Sequence, residues 1–270
     1  MSFITLLAAL VLVFPLAGSR YFNLSYFSKA AGIILFLATA SAIWHLGGKR
    51  VIDRGSRLLA AAGILLTSPI AIILLLWIGL GPPWEAGPSE NRMRYLVLLA
   101  DSMLVTSGFV LLKVSLTDAG EYVFSGLGLS LGVPAGCAYL VWASFETAVW
   151  TQRSMGQQTP NIFENAGIAL DVLLFSACLL TYTAVAALSF SMRIAGFVSN
   201  RTAVAYASTA GIAVAFLLFR GVAFPDASEI DVPWYLSPGL IAGIPAVPWI
   251  IPYLFGVRLL REAEAATAEN

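Results

Sequence analysis

The stretch from Asn165 to Phe190, NAGIALDVLLFSACLLTYTAVAALSF, decides the fold class, because Asp171 is its only charged residue. A helix rises 1.5 Å per residue, so a run of about 20 apolar residues crosses the hydrocarbon core of a bilayer, which is about 30 Å thick. The stretch therefore predicts a membrane-spanning helix.

The rest of the chain has the same character. Hydrophobic residues make up 59% and charged residues 11% of its 270 residues, and the mean hydropathy is +0.85. A soluble domain of this size has too little interior to bury so much apolar surface, so the surplus must face lipid. Eight hydrophobic segments lie near 3–18, 27–46, 58–80, 93–113, 122–144, 165–190, 203–219 and 235–257.

These segments predict an all-α, polytopic integral membrane helical bundle with about eight transmembrane helices. We expect one transmembrane domain over 1–270, in the inner (plasma) membrane of a prokaryote. The first segment lacks a basic residue before it and a good cleavage site after it, so we interpret it as an uncleaved span and not as a signal peptide.

The basic residues predict the orientation. With eight alternating spans, nine of them fall on one side and six on the other, and four of the nine lie in the loop from Gly47 to Arg57. Because Lys and Arg concentrate in cytoplasmic loops, both termini are predicted to be cytoplasmic.

The sixth segment, near 165–190, has a polar face. At 100° per residue, five polar side chains fall within about 40° of one another. An ionised aspartate at the centre of a lone helix in lipid costs about 2.5 to 3.5 kcal/mol, so this face must meet protein or water. Its members are Glu164, Asp171, Cys178, Tyr182 and Ser189.

The fourth segment, near 93–113, carries Asp101, Ser102 and Thr106. By helical rise, Asp101 and Asp171 both lie about 12 Å from the outer interface. If they line one outward-open cavity, repulsion and desolvation favour the sharing of a proton or the binding of a cation. The alternative is that each carboxyl is a hydrogen-bonded packing group or pairs with an interfacial arginine, Arg94 or Arg220.

Small residues and prolines mark two other segments. Gly128, Gly132 and Gly136 recur at a spacing of four, which is typical of close helix packing. Pro245, Pro248 and Pro252 make a straight helix improbable near 235–257, where we expect a kink. The connection 145–161 is predicted to be a loop or short helix along the membrane surface.

Several protein classes are excluded or disfavoured. The formal net charge is zero, with no basic block, so the chain lacks the electrostatic pattern of a nucleic-acid binder. One histidine, His45, cannot build a bis-histidine haem or a multi-histidine zinc site. We expect no metal, no cofactor and no catalytic residue, and we favour a protein that is not an enzyme.

The best hypothesis is a transporter or channel-like protein that uses intramembrane carboxylates for proton or cation coupling. Its partners are the lipid bilayer and a small ion or small-molecule substrate, and a homo- or hetero-oligomer is left open. The residues predicted to bind the ion or substrate are Asp101, Asp171, Glu164, Tyr182, Ser102 and Thr106.

The alternative is a non-catalytic anchor or assembly subunit of a larger complex. His45-Leu46-Gly47 resembles the His-Leu-Gly run that ends a span in anchor subunits of the dimethyl-sulfoxide-reductase type. Those subunits have eight spans and bind quinone, so the resemblance implies a quinone-linked respiratory complex with His45 near the cofactor. An interfacial histidine beside Trp44 is the favoured interpretation of this run.

Overall fold

The computed structural model describes residues 24–47, 54–79, 86–158, 166–223 and 238–268. All regular structure in these ranges is helical. The long helices are α1 (Leu24–Gly47), α2 (Arg54–Gly79), α3 (Pro88–Asp118), α4 (Val123–Ser154), α5 (Gly167–Ile194) and α6 (Asn200–Arg220). They are followed by α7 (Pro238–Ala242), a 3-10 turn (Val247–Trp249) and α8 (Ile250–Ala268).

Five of the helices in these ranges are long and apolar enough to cross a membrane. They are α3, α4, α5, α6 and the part of α2 from Gly55 to Ile73, while α1 contains a shorter apolar run, Gly32–Leu46. The prediction of an all-α, multi-pass membrane protein is thereby confirmed. The number of eight spans and the cytoplasmic termini stay predictions, and the segment near 3–18 lies outside the described residues.

Helix α4 is longer than the sequence pattern predicts. Hydrophobicity falls after Ser144, but the residues that follow contain neither proline nor glycine, and the helix continues to Ser154. It ends just before Gly156, whose φ of 71° suits a residue without a side chain. The prediction of a surface loop or short helix from residue 145 onward is therefore wrong up to Ser154.

The helices pack mainly as sequence neighbours. Helix α4 lies between α3 and α5, α2 packs on α3, and α6 packs on α5. Helix α8 returns to pack against α2, and Arg258 on α8 donates a hydrogen bond to the carbonyl of Phe197 in the turn after α5, at 2.6 Å.

The glycine ladder on α4 is a packing surface, as predicted. A Cβ at Gly128 would lie 2.6 Å from Leu188 of α5, and one at Gly136 would overlap the Oγ1 of Thr106 on α3. Lipid tails are as apolar as the helix surfaces, so the hydrophobic effect does not drive helix association in a membrane. The close approach of the backbones instead allows van der Waals contacts to stabilise the bundle.

The region predicted as the last span is interrupted and not simply kinked. Helix α7 ends at Ala242, and helix α8 begins only at Ile250 after a turn and the 3-10 turn. Pro245 and Pro248 have no N–H to donate, so an α-helical ladder cannot run through them. We call residues 243–249 the helix break.

Candidate functional site

The helix break is held by polar side chains of α5. The hydroxyl of Tyr182 donates to the carbonyl of Ala242 at 3.2 Å, and the thiol of Cys178 lies 3.9 Å from the carbonyl of Gly243. An interrupted helix leaves carbonyls without their usual partners, and inside a membrane these must be satisfied by protein. The expectation that the polar face of α5 meets protein is confirmed for these two residues.

Tyr139 of α4 joins this cluster. Its hydroxyl lies 3.2 Å from the Sγ of Cys178, and its ring packs against Trp249 with centroids 5.1 Å apart. Tyr139 is not among the residues predicted from the sequence. The sequence gives one indication of its position. Tyr139 lies three residues after Gly136, so both residues are on the same face of α4, which packs inward.

A small cavity lies where α3, α4 and α5 meet the helix break. It has space for about one water-sized particle. The predicted residues Ser102 and Thr106 both contribute to its wall. The lining residues are Ser102, Val105, Thr106, Phe109, Gly132, Gly136, Tyr139, Thr181 and Trp249.

The three aliphatic hydroxyls in the wall all donate to their own helices. Ser102 donates to the carbonyl of Leu99, Thr106 to that of Ser102, and Thr181 to that of Ala177, each at 2.7 Å. A hydroxyl has one proton and two lone pairs. Because each proton is already engaged, these oxygens present only acceptor lone pairs to any further partner.

Asp101 is the most unusual polar group on α3, and it is not among the residues that line the cavity. Its side chain is 0% exposed, and neither carboxylate oxygen has a hydrogen-bond partner among the described residues. Val105, one helical turn away on the same face, lines the cavity. A buried ionised carboxylate without donors is strongly disfavoured, so the charge of Asp101 must be neutralised by a proton or a cation.

Asp171 has different surroundings. It is only partly buried, and its charge interacts with those of Arg220 and Glu146. The indole N–H of Trp150 donates to Glu146 at 3.2 Å. The sequence alternative of an electrostatic interaction between Asp171 and Arg220 is therefore supported, while a cavity shared with Asp101 stays a prediction.

The other predicted residues are not in the cavity wall. Glu164 lies outside the described residues. His45 is near the end of α1 and is electrostatically close to Arg57, and its neighbour Trp44 is 80% exposed. The interpretation of His45 as an interfacial residue stays a prediction.

A second buried carboxyl, Glu121, lies in the turn between α3 and α4. It accepts hydrogen bonds from the backbone N–H groups of Phe124 (2.7 Å) and Ser125 (2.9 Å) and from the hydroxyl of Ser191. Burial raises the pKa of Glu121, but these hydrogen bonds together outweigh it and hold the pKa below its ordinary value. The carboxylate ties the N-terminus of α4, where a negative charge is favourable, to the end of α5.

The described residues do not assemble a site for a transition metal. Within those ranges, no three His, Cys, Asp or Glu side chains come together. Compared with family models, with curated proteins and with proteins of known structure, the chain matches none.

Proposed function

We propose that this chain is a transporter or channel-like membrane protein in which Asp101 binds the proton or small cation that moves or drives transport. The observation that carries the proposal is a fully buried carboxyl without a described hydrogen-bond partner, one helical turn from Val105 in the wall of a small cavity. Ionisable groups inside membrane bundles are costly and are characteristic of ion and substrate pathways.

The contrast with Glu121 argues against a packing role for Asp101. Both side chains are buried, at 4% and 0% exposure. Glu121 accepts three hydrogen bonds, as expected for a carboxylate that stabilises a fold. Asp101 has no such partner among the described residues. A neutral apolar residue at this position would therefore stabilise the fold better.

The helix break supports the proposal further. Interrupted helices build ion and substrate sites in many transporters, because their ends and freed carbonyls face the site. Here the break contributes Trp249 to the cavity wall. The hydrogen bond from Tyr182 to the carbonyl of Ala242 and the contact between Cys178 and the carbonyl of Gly243 connect α5 to the interrupted segment.

We place Asp171 and Glu146 on the path that leads to this site. They are partly buried and interact electrostatically with each other, so they offer negative charge to an approaching cation. Arg220 offsets part of that charge. We include Glu164 in this hypothesis, because its sequence position lies on the same polar face as Asp171.

Ion flux in liposomes tests the proposal. The purified chain is reconstituted, and pH-sensitive and cation-sensitive dyes follow uptake down an imposed gradient. Asp101→Asn keeps the shape of the side chain but cannot ionise, and we expect it to lower flux at least tenfold. The matched control is Asp118→Asn, on the exposed end of the same helix, which should transport like the wild type.

Thermal unfolding and size-exclusion profiles show whether the Asn variant is folded. A folded Asp101→Asn protein with wild-type flux contradicts the proposal. If the wild-type chain moves neither protons nor cations and copurifies with a second protein, the proposal is also wrong, and the anchor or assembly function replaces it.

A further inference from the structure

We infer that the cavity between α3, α4, α5 and the helix break is a binding site for a single water molecule, which donates hydrogen bonds to the hydroxyl oxygens of the wall. The inference goes beyond the proposed function and does not depend on it, because Asp101 is not among the lining residues. The hydroxyls are those of Ser102 and Thr106 on α3, Tyr139 on α4 and Thr181 on α5.

The size of the cavity limits its occupant. There is space for about one water-sized particle, so an organic molecule or a hydrated ion does not fit. Close packing keeps the cavity small. A Cβ at Gly132 would lie 2.9 Å from the ring of Phe109, and one at Gly136 would overlap the Oγ1 of Thr106.

The wall carries no charge. Its members are apolar residues, glycines and residues with a hydroxyl, and in the described part of the chain no Asp, Glu, Lys, Arg or His is among them. Burial of an ion without a compensating charge costs far more than burial of a neutral polar molecule. The occupant is therefore neutral.

The aliphatic hydroxyls have already given their protons. Ser102, Thr106 and Thr181 each donate to a carbonyl of their own helix at 2.7 Å. A hydroxyl has one proton and two lone pairs, so each oxygen can still accept a hydrogen bond. The site therefore requires a ligand that donates.

Tyr139 adds a fourth acceptor to the wall. Its hydroxyl lies 3.2 Å from the Sγ of Cys178, and the thiol donates its own proton to the carbonyl of Gly243 at 3.9 Å. The hydroxyl of Tyr139 is then the donor to the sulfur, and its oxygen keeps lone pairs for another partner. Water is the neutral molecule that combines this size with two donor protons.

The number of acceptors decides how firmly the water is held. Cavities that stay dry are lined by apolar groups, whereas a buried water makes about two to four hydrogen bonds. The two protons of water can reach two of the four oxygens at a time, in more than one orientation. Loss of one hydroxyl should therefore weaken binding, and loss of three should abolish it.

Solid-state NMR on the full-length chain in bilayers of deuterated lipid tests the inference. Magnetisation that starts on water protons reaches only side chains close to water. We expect transfer to the methyl groups of Thr106 and Thr181. Thr67 is the internal control, because it is buried and donates to Gly63 at 2.8 Å but is not in the cavity wall.

A combined variant identifies the acceptors. It leaves Tyr139 as the only hydroxyl among the lining residues, and we expect transfer to the methyl groups at positions 106 and 181 to be lost. Its substitutions are Ser102→Ala, Thr106→Val and Thr181→Val.

The matched control changes the same types of residue at exposed positions and should keep the wild-type transfer. Its substitutions are Ser107→Ala, Thr183→Val and Thr209→Val. Size-exclusion profiles and thermal unfolding show whether each variant is folded. If the combined variant does not fold, Thr181→Val alone replaces it, and transfer to Thr106 should then decrease.

The outcomes are decisive for the site. Absence of transfer to Thr106 and Thr181 in the wild type overturns it. Equal transfer to Thr67 also overturns it, because water protons then reach buried hydroxyls by exchange without a bound molecule. Undiminished transfer in the combined variant, or in Thr181→Val where that replaces it, overturns the hydroxyls as acceptors. Ion flux is measured separately, so none of these results changes the outcome for the proposed function.

Discussion

The hydroxyl of Thr106 on α3 rests against the backbone of Gly136 on α4, so closely that a Cβ at residue 136 would overlap Oγ1. Gly136→Ala must therefore push the two helices apart or rotate Thr106 away from the cavity. We expect a loss of about 1–3 kcal/mol in stability, as for other overpacked cores, and a loss of ion flux. Thermal unfolding and liposome assays measure the two effects.

Gly126→Ala is the matched control. It lies on the same helix, and a Cβ there meets no atom within 4 Å. Alanine has the higher helix propensity, so the control should be unchanged or slightly more stable. Equal stability of both alanine variants would falsify the close contact between α3 and α4 at this level.

Glu121 makes stability depend on pH. Its pKa in the folded chain is lowered, so its contribution is fully present above the ordinary glutamate pKa of about 4.3. That contribution is lost as pH falls through the lower pKa of the folded state. We expect Glu121→Gln to lose about 1–2 kcal/mol at pH 7 and to show a flatter decrease in Tm below about pH 4.

Tm between pH 3 and pH 7 is the measurement, and Glu264→Gln, at an exposed position near the end of α8, is the control. Glu264→Gln should follow the wild-type curve. If Glu121→Gln follows it as well, the carboxylate does not anchor α4 to α5.

The hydrogen bond between Tyr182 and Ala242 restrains the helix break. Tyr182→Phe removes the hydroxyl and leaves the Ala242 carbonyl without this donor, which we expect to cost about 1 kcal/mol. Hydrogen–deuterium exchange should become faster in peptides that cover residues 243–249, because the break opens more often.

Tyr206→Phe provides the comparison for this variant. The ring of Tyr206 packs on Phe255 at 5.7 Å, and the substitution preserves that contact. Exchange in the break should stay at its wild-type rate. If Tyr182→Phe also exchanges at that rate, other contacts hold the break and Tyr182 is not its restraint.

Much of the fold follows from residue patterns that act locally. Hydrophobic length predicts the apolar helices, and glycine spacing predicts the ladder that includes Gly136. Proline predicts that the last segment is not a straight helix, but the expected feature is a kink, whereas the structure shows an interruption near Pro245 and Pro248. Each is a property of one segment and its solvent. The length of α4 is not predictable in this way, because hydrophobicity ends at the membrane boundary, whereas a helix ends at a residue such as Gly156.

The site was only partly predictable, because it depends on how helices rotate against one another. The pattern of polar residues in the apolar segments predicts Asp101, Ser102 and Thr106 as site residues. It does not predict that Asp101 lacks a described hydrogen-bond partner. In the sequence, Tyr139 resembles other aromatic residues of membrane helices. Only the fold shows that its hydroxyl lies next to the Sγ of Cys178. Glu121 looks like a loop residue, since its partner Ser191 is distant in sequence.

Asp171 provides the final prediction, because its surroundings differ from those of Asp101. It is partly buried and close to the charges of both Glu146 and Arg220. A negative charge on the path to a site raises the rate at which cations arrive. Salt screens this attraction, with a screening length of about 10 Å at 0.1 M. Asp171→Asn should lower flux about threefold to tenfold at low ionic strength.

The dependence on salt distinguishes this role from direct binding. In liposomes at high ionic strength, flux through Asp171→Asn should approach the wild-type value, whereas Asp101→Asn stays inactive at every salt concentration. Complete loss of flux at every salt concentration in this variant would instead place Asp171 in the binding site, as the depth of the two aspartates in the sequence suggests.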